Sequence, residues 1–216
     1  EARPTIMTAV PRLYEIIHGR ILSGVQQAGG LKQKMFMKAL ELGQRRLDSG
    51  ARLTGMAGLM DRVLERLVRD KVRQRFGGRL QAFVSGGAPL NPEIGRFFLA
   101  LGVRILQGYG QTESAPVISC NPVHDVRIDT VGPPLTGVEV KIAQDGEILA
   151  RGELLMQGYW NNPRATAEVL RDGWLYTGDI GELDADGFLR ITDRKKDIIV
   201  NSGGDNLSPQ RIEGIL

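Results

Sequence analysis

Cysteine is almost missing from this chain. Cys120 stands alone among 216 residues, which excludes an internal disulfide framework and fits a reducing compartment. A lone thiol without a neighbouring histidine reads as a small packing residue, not a nucleophile. No apolar run reaches the length that spans a bilayer, and the first residues do not read as a signal peptide. Histidine is scarce as well: His18 and His124 fall in no motif and read as structural or surface residues. Charge of one sign is also lacking. The formal net charge is only +3, too small to point to nucleic acid. What remains, 42% hydrophobic and 25% charged residues, is ordinary for a globular chain long enough to bury a real core.

The charge is unevenly spread. Residues 1–80 hold 16 basic and 7 acidic side chains, and residues 81–216 hold 12 and 18. A solvated helical face is the default explanation for the basic part. The alternatives are a surface facing anionic lipid, acyl chains with charged heads or a phosphorylated cofactor. The expected location is cytoplasmic, with the inner membrane surface as the place a peripheral lipid contact would form. Glu1 opens the chain, and Arg211–Leu216 reads as a helix just starting. An excised portion of a longer protein is therefore expected.

Taken in order, Thr5–Val10 is β-like, and Arg12–Leu22 carries Leu13, Ile16, Ile17 and Ile21 at helical spacing. Gly24–Gly30 reads as loose. Leu31–Leu47 reads as a basic helix broken by Asp48-Ser49-Gly50. Leu59–Phe76 is the clearest helix, with Met60, Val63, Leu64, Leu67, Val68 and Val72 as its apolar stripe, stopped by Gly77-Gly78. Leu80–Val84 then reads as a buried strand leaving through Ser85-Gly86-Gly87-Ala88-Pro89-Leu90. Asn91 and Pro92 start a helix that runs to about Leu101, and Val103–Leu106 is a second strand. Strand, helix and strand in this order describe a parallel βαβ unit, whose ligands gather at the carboxyl ends of the strands.

At the end of that second strand lies Gln107-Gly108-Tyr109-Gly110-Gln111-Thr112-Glu113. Two glycines let the backbone turn sharply around one aromatic ring, and a hydroxyl and a carboxylate follow. The ring can stack on a base, the hydroxyl can bond a phosphate oxygen, and the carboxylate can hold magnesium. A tight turn with solvated polar residues is the bland alternative for this stretch alone. A dinucleotide fingerprint is disfavoured, because the third glycine at the required spacing is missing.

From about Val131 the pattern changes to short alternating runs, Val138–Ile142, Gly146–Ala150, Glu153–Met156 and Gly187–Thr192, separated by Gly, Asp and Asn turns. That spacing predicts a small antiparallel barrel or sandwich. Asn162–Thr166 starts a short helix, and Trp160 and Trp174 read as packing residues. The charged cluster Asp193-Arg194-Lys195-Lys196-Asp197 reads as an exposed linker, with strand-like Ile198-Ile199-Val200 beyond it.

Five stretches now stand in order: SGGAPL at 85–90, GYGQTE at 108–113, YTGD at 176–179, DRKKD at 193–197 and NSGGDNLSP at 201–209. Together they resemble the adenylate-forming superfamily of acyl-CoA synthetases, peptide-synthetase adenylation domains and luciferases. VPRLYEIIHGRI at 10–21 and DNLSPQRIE at 205–213 are most similar to long-chain fatty acyl-CoA synthetases. The resemblance implies an α/β fold: part of a large N-terminal domain, with a parallel βαβ half at 1–130 and a small antiparallel β-barrel at 131–193. A hinge at 194–197 and the start of a C-terminal lid at 198–216 would follow.

It also implies roles. Tyr109 would stack on adenine, with Gly86, Gly87 and Ala88 as the opposite wall. Gly110 and Gln111 would belong to the same nucleotide loop. Thr112 would bond the α-phosphate and Glu113 would hold Mg2+. Asp179 would accept hydrogen bonds from the ribose hydroxyls, and Arg194 would reach the ribose or phosphate. Lys196 would be the hinge, while Gly203 and Gly204 would meet the pantetheine arm of coenzyme A. The implied substrates are ATP, a fatty acid and coenzyme A, with AMP released. A carrier-protein acceptor and a non-catalytic nucleotide-binding relative are the alternatives. The family's phosphate loop and its lid lysine are not in this chain, and acyl length and oligomeric state stay open.

Overall fold

The computed structural model describes residues 3–196 together with the backbone pairs at 199–200 and 206–207. The chain divides into two compact units, residues 1–107 with 123–128, and residues 108–122 with 129–216.

The first unit carries the βαβ element that the sequence predicts. Strand β1 (Ile6–Ala9) lies parallel to β2 (Ala82–Ser85), which lies parallel to β3 (Ile105–Tyr109). Helix α5 (Pro92–Ala100) connects β2 to β3. Asn91 starts it by accepting the Glu93 N–H at 2.8 Å, and Pro92 occupies the first helical position, where no amide partner is needed. Phe97, Phe98 and Ala100 bury the inner face of α5 against a core that includes Tyr14, Phe36, Leu42, Leu64 and Phe83. Four helical segments intervene between β1 and β2: α1 (Pro11–Ala28), α2 (Gly30–Ser49), α3 (Gly55–Leu64) and α4 (Asp70–Arg75).

Two of these segments differ from expectation. Helix α1 runs through Gly24 and ends only at Gly29, whose φ of 54° no side chain favours. The isolated Gly24 weakens the helix without ending it, because Val25 packs on the core. The expected continuous helix over 59–76 begins earlier, at Gly55, and holds a π-helical turn at Glu65–Arg69 between α3 and α4. That turn puts Val68 and Arg69, adjacent in sequence, both in the interior. Met60, Val63 and Leu67 of the expected stripe are left exposed.

Arg69 is fully buried. Its guanidinium donates to the carbonyls of Ala39 (2.6 Å) and Ala100 (2.9 Å) and pairs with Asp61 (2.7 Å) and Glu65 (3.0 Å). It thus ties α2, α3 and the π-turn to the C-terminal end of α5. Those segments approach closely: a Cβ on Gly43 would lie 2.2 Å from the Ala100 carbonyl oxygen. Beside this knot, α1, α2 and the π-turn–α4 segment line an apolar cleft of about 490 Å³, with Ile21, Phe36 and Val72 on its walls and Arg20, Lys32, Lys71 and Arg75 among its lining. No helix among the described residues is long and apolar enough to cross a membrane.

The second unit holds a five-stranded antiparallel sheet. Strands β5 (Glu139–Ile142), β6 (Glu147–Arg151), β8 (Trp174–Leu183) and β7 (Leu170–Arg171) pair in that order, and β9 (Leu189–Arg194) also pairs with β8. The last residues of β3 pair with β4 (Ser119–Cys120). Ile118, Ile148, Ala150 and Leu189 form its core with Tyr109. Glu153–Met156, expected as a strand, is a turn instead: Gly152 abuts the Gly137 carbonyl, and the Met156 N–H donates to the Glu113 carbonyl at 2.8 Å. Trp160 is 92% exposed and is no packing residue. Trp174 packs beneath Lys141 and Arg151, whose charges sit 3.9 and 4.7 Å from the ring centre.

Removing one partner of a buried ionic knot strands the others without water. Arg69→Ala is therefore expected to cost roughly 3–5 kcal/mol of stability, read by chemical denaturation. A loss within experimental error would mean that the knot is not what joins these helices.

Candidate functional site

Strand β3 delivers Tyr109 at its end, and the chain then turns under tight steric control. A Cβ on Gly110 would sit 2.1 Å from the Pro116 carbonyl oxygen, so only glycine fits where the loop folds back. Thr112-Glu113-Ser114 forms one 3₁₀ turn. Buried Ser114 fastens it by accepting from the Gln111 N–H (3.1 Å) and donating to the Gln111 carbonyl (2.9 Å). Thr112 is left exposed and Glu113 half-buried.

The Glu113 carboxylate accepts a hydrogen bond from the Tyr159 hydroxyl at 2.7 Å. Sequence reasoning did not single out Tyr159. It is placed by the helix α6 (Pro163–Val169): Thr166 accepts from the Tyr159 N–H at 2.9 Å, and Asn162 caps the helix. Its phenol is pushed up to about 12, first by the hydrogen bond to Glu113 and then by burial.

The central group is Asp179, which is 7% exposed. One of its oxygens accepts from the Tyr109 hydroxyl at 2.7 Å, and the other lies 3.2 Å from Arg194 Nε. Strand register explains the Arg194 neighbour. Asp179 and Arg194 are cross-strand partners on β8 and β9, and Tyr109 reaches Asp179 from the hydrophobic core of this unit. The β6–β8 register slips between Glu147 and Leu149, and Gly178 adopts φ 74°. Asp179 therefore falls outside the β6–β8 pairing while it stays paired with Arg194 of β9. The Thr177 hydroxyl donates to the Ile148 carbonyl at 2.7 Å and accepts from the Asp179 N–H at 3.2 Å. Burial, and then the Asp179 charge, raises the Tyr109 phenol well above its usual range, so it stays a donor at neutral pH. Arg194 is 65% exposed, so the Asp179 oxygen beside it is the one a ligand can reach.

Tyr109, Asp179 and Arg194 thus meet, while Glu113 is joined to Tyr159. Gly86, Gly87 and Ala88 lie in the first unit at the exit of β2, where Gly87 has φ 82°. The buried hydroxyl of Ser85, at the end of that strand, has no hydrogen-bond partner among the described residues. Lys196 is exposed in a turn. Asp197, Gly203 and Gly204 lie outside the described residues. Glu113 is a single carboxylate, and among the described residues no cluster of three or more metal-binding side chains exists. That donor set suits Mg2+ carried in with phosphates, an ion that keeps most of its water and takes one or two carboxylates.

The Tyr159–Glu113 bond can be read by titration. Wild type is expected to show a phenol ionising near about 12, since the neighbouring carboxylate disfavours phenolate. Glu113→Gln should return it toward the ordinary value of about 10. An unmoved titration would separate Tyr159 from Glu113.

Comparison with known proteins fits this geometry. The family described as AMP-binding enzyme matches residues 1–160. The long-chain-fatty-acid–CoA ligase FadD15 of Mycobacterium bovis is 42% identical over 98% of this chain, which covers 35% of that protein. The amide bond synthetase McbA from Marinactinospora thermotolerans is 33% identical with TM-score 0.58, over 69% of this chain and 33% of that one. The O-succinylbenzoate coenzyme A synthetase MenE from Bacillus subtilis superposes over 99% of this chain and 36% of its own, with TM-score 0.66. At 23% identity it supports the fold alone. The chain spans about a third of the length of these relatives. Its fold, its ordered loops and the family match over residues 1–160 make this chain a member of the AMP-binding enzyme family.

Proposed function

We propose that this chain is part of a long-chain fatty acyl-CoA synthetase that joins a fatty acid to coenzyme A through an acyl-adenylate. The observation that carries the reading is Asp179, a nearly buried carboxylate held by Tyr109 and open on the Arg194 side. An ionised carboxylate in that setting suits the two hydroxyls of a ribose, because it accepts and cannot donate. Tyr109 would lie against adenine, with backbone from the Gly110–Gln111 turn also contacting the nucleotide; Gly86, Gly87 and Ala88 are assigned to nucleotide binding by resemblance alone. The exposed Thr112 hydroxyl is assigned to the α-phosphate.

Mg2+, when bound with ATP, would neutralise phosphate charge as the reaction proceeds. Glu113 would hold it, and Tyr159 fixes the orientation of that carboxylate. In the first step a carboxylate oxygen of the fatty acid attacks the α-phosphorus and pyrophosphate leaves. In the second the coenzyme A thiol attacks the acyl carbon and AMP leaves. The chain's own contribution is positioning and charge stabilisation. Lys196 is assigned as the hinge, and Gly203 and Gly204 as contacts to the pantetheine arm. The similarity to FadD15 supports a fatty acid and a thiol acceptor. The similarity to an amide bond synthetase keeps other acceptors in view, a carrier protein among them. The apolar cleft of the first unit, with its basic lining, supports the longer-chain end of the acid class and offers the surface for peripheral contact with anionic lipid.

The test is carboxylate-dependent ATP–pyrophosphate exchange in the full-length protein, with acids from acetate to palmitate. Exchange with the longer acids only is expected. A folded protein that binds ATP yet exchanges with no acid would be the non-catalytic relative instead. Asp179→Ala should raise the KM for ATP, and Glu113→Ala should mainly lower kcat for adenylation.

A further inference from the structure

Glu147 is 5% exposed and sits at the start of β6, opposite the irregular stretch of β8. One of its carboxylate oxygens accepts the Gly178 N–H at 2.8 Å, and the other accepts the Lys195 ammonium at 2.8 Å. The Lys195 N–H donates back to the Gly178 carbonyl at 2.8 Å. These three bonds close a ring. Asp145 extends it, taking a second bond from the Lys195 ammonium at 2.7 Å and accepting the Glu147 N–H at 3.2 Å.

The residues in the ring are sequence neighbours of the site. Gly178 precedes Asp179, and Lys195 follows Arg194. Both polar groups of the Gly178 peptide unit are occupied although its φ of 74° takes it out of the ladder. The backbone ladder between β6 and β8 is interrupted at this stretch, between the Leu149–Tyr176 and Glu147–Ile180 pairs. The ring buttresses the β8–β9 pairing of Asp179 with Arg194, tying the backbone beside each of them to Glu147 on β6. A carboxylate recognising two vicinal hydroxyls needs such fixing, since an ångström of drift loses bidentate geometry.

We propose that Glu147 and Lys195 are positioning residues which, through Gly178, set the Asp179–Arg194 pair for nucleotide binding. The consequence for ATP rests on the assignment of Asp179 to the ribose. Releasing the ring should weaken ATP binding and leave the chemical step alone.

The experiment compares the full-length wild type with Lys195→Met, Lys195→Arg and Glu147→Gln. Lys195→Met keeps the backbone N–H and the stem but removes the ammonium, and Glu147→Gln keeps an acceptor for Gly178. Lys195 is about half exposed, so the effect is screened. A rise of roughly threefold in KM for ATP is expected for Lys195→Met, with kcat within about twofold, a small fall in melting temperature as Glu147 loses its cation, and rescue of both by Lys195→Arg. The double variant Glu147→Gln/Lys195→Met should be no worse than the worse single one. Hydrogen exchange should show lost protection confined to residues 177–180 and 193–195. Unchanged KM and unchanged exchange would overturn the proposal, as would lost protection with KM unmoved, or equal losses in KM and kcat without rescue. If wild type does not bind ATP, the nucleotide reading fails, while the exchange comparison still decides whether the ring holds this turn.

Discussion

A carboxylate that is nearly dry has to be held by donors, and Asp179 takes its share from opposite kinds of group. The Tyr109 phenol is buried and keeps its proton at neutral pH, so its hydroxyl donates steadily to one oxygen. The Arg194 guanidinium is mostly in solvent, and an exposed ion pair is weak. The second oxygen is therefore committed loosely, to a group that a ligand's hydroxyls can displace at small cost. Such an arrangement orients the carboxylate without closing it off. Much of the second unit serves this one group. The slip in β6–β8 register interrupts the ladder beside it, β9 brings Arg194 alongside, and the steric block at Gly110 ends the strand that carries Tyr109.

The first unit meets the same difficulty with buried charge and resolves it differently. Arg69 has no solvent at all, and two helix-end or helix-wall carbonyls together with two acidic side chains surround it. Here no partner is dispensable, so the knot acts as a fastener between helices. The contrast between Arg69 and Asp179 is one of completeness. A fully enclosed charge stabilises architecture, and one with a side left to solvent can recognise something.

Much of this was legible in the sequence, for definite reasons. The βαβ unit could be read because Leu80–Val84 and Val103–Leu106 are short apolar runs, and Asn91-Pro92 marks a helix start by chemistry that does not depend on context. The loop at 107–113 could be read because its glycines, aromatic ring and acid lie within a few residues of one another. Asp179 and Arg194 came from resemblance, since Thr177-Gly178-Asp179 by itself looks like any turn. The π-turn was not legible: helical periodicity over 59–76 is nearly unbroken, and only the need to bury Arg69 beside Val68 disturbs it. Tyr159 and Glu147 were missed because each acts on a residue far away in sequence, and Glu147 acts through a slip in strand register that no local pattern announces. Trp160 misled through its type, since a large aromatic residue ordinarily packs and this one stands on an exposed loop.

The assignment of Asp179 to a ribose can be tested by binding alone. The measurement is titration calorimetry of the full-length protein with ATP and with its 2′,3′-dideoxy analogue, for wild type and for Asp179→Ala. If Asp179 accepts from the ribose hydroxyls, wild type will bind the dideoxy compound more weakly than ATP, and Asp179→Ala will bind the two alike. Discrimination that survives in Asp179→Ala would contradict the assignment, and with it the reading of this constellation as a nucleotide site.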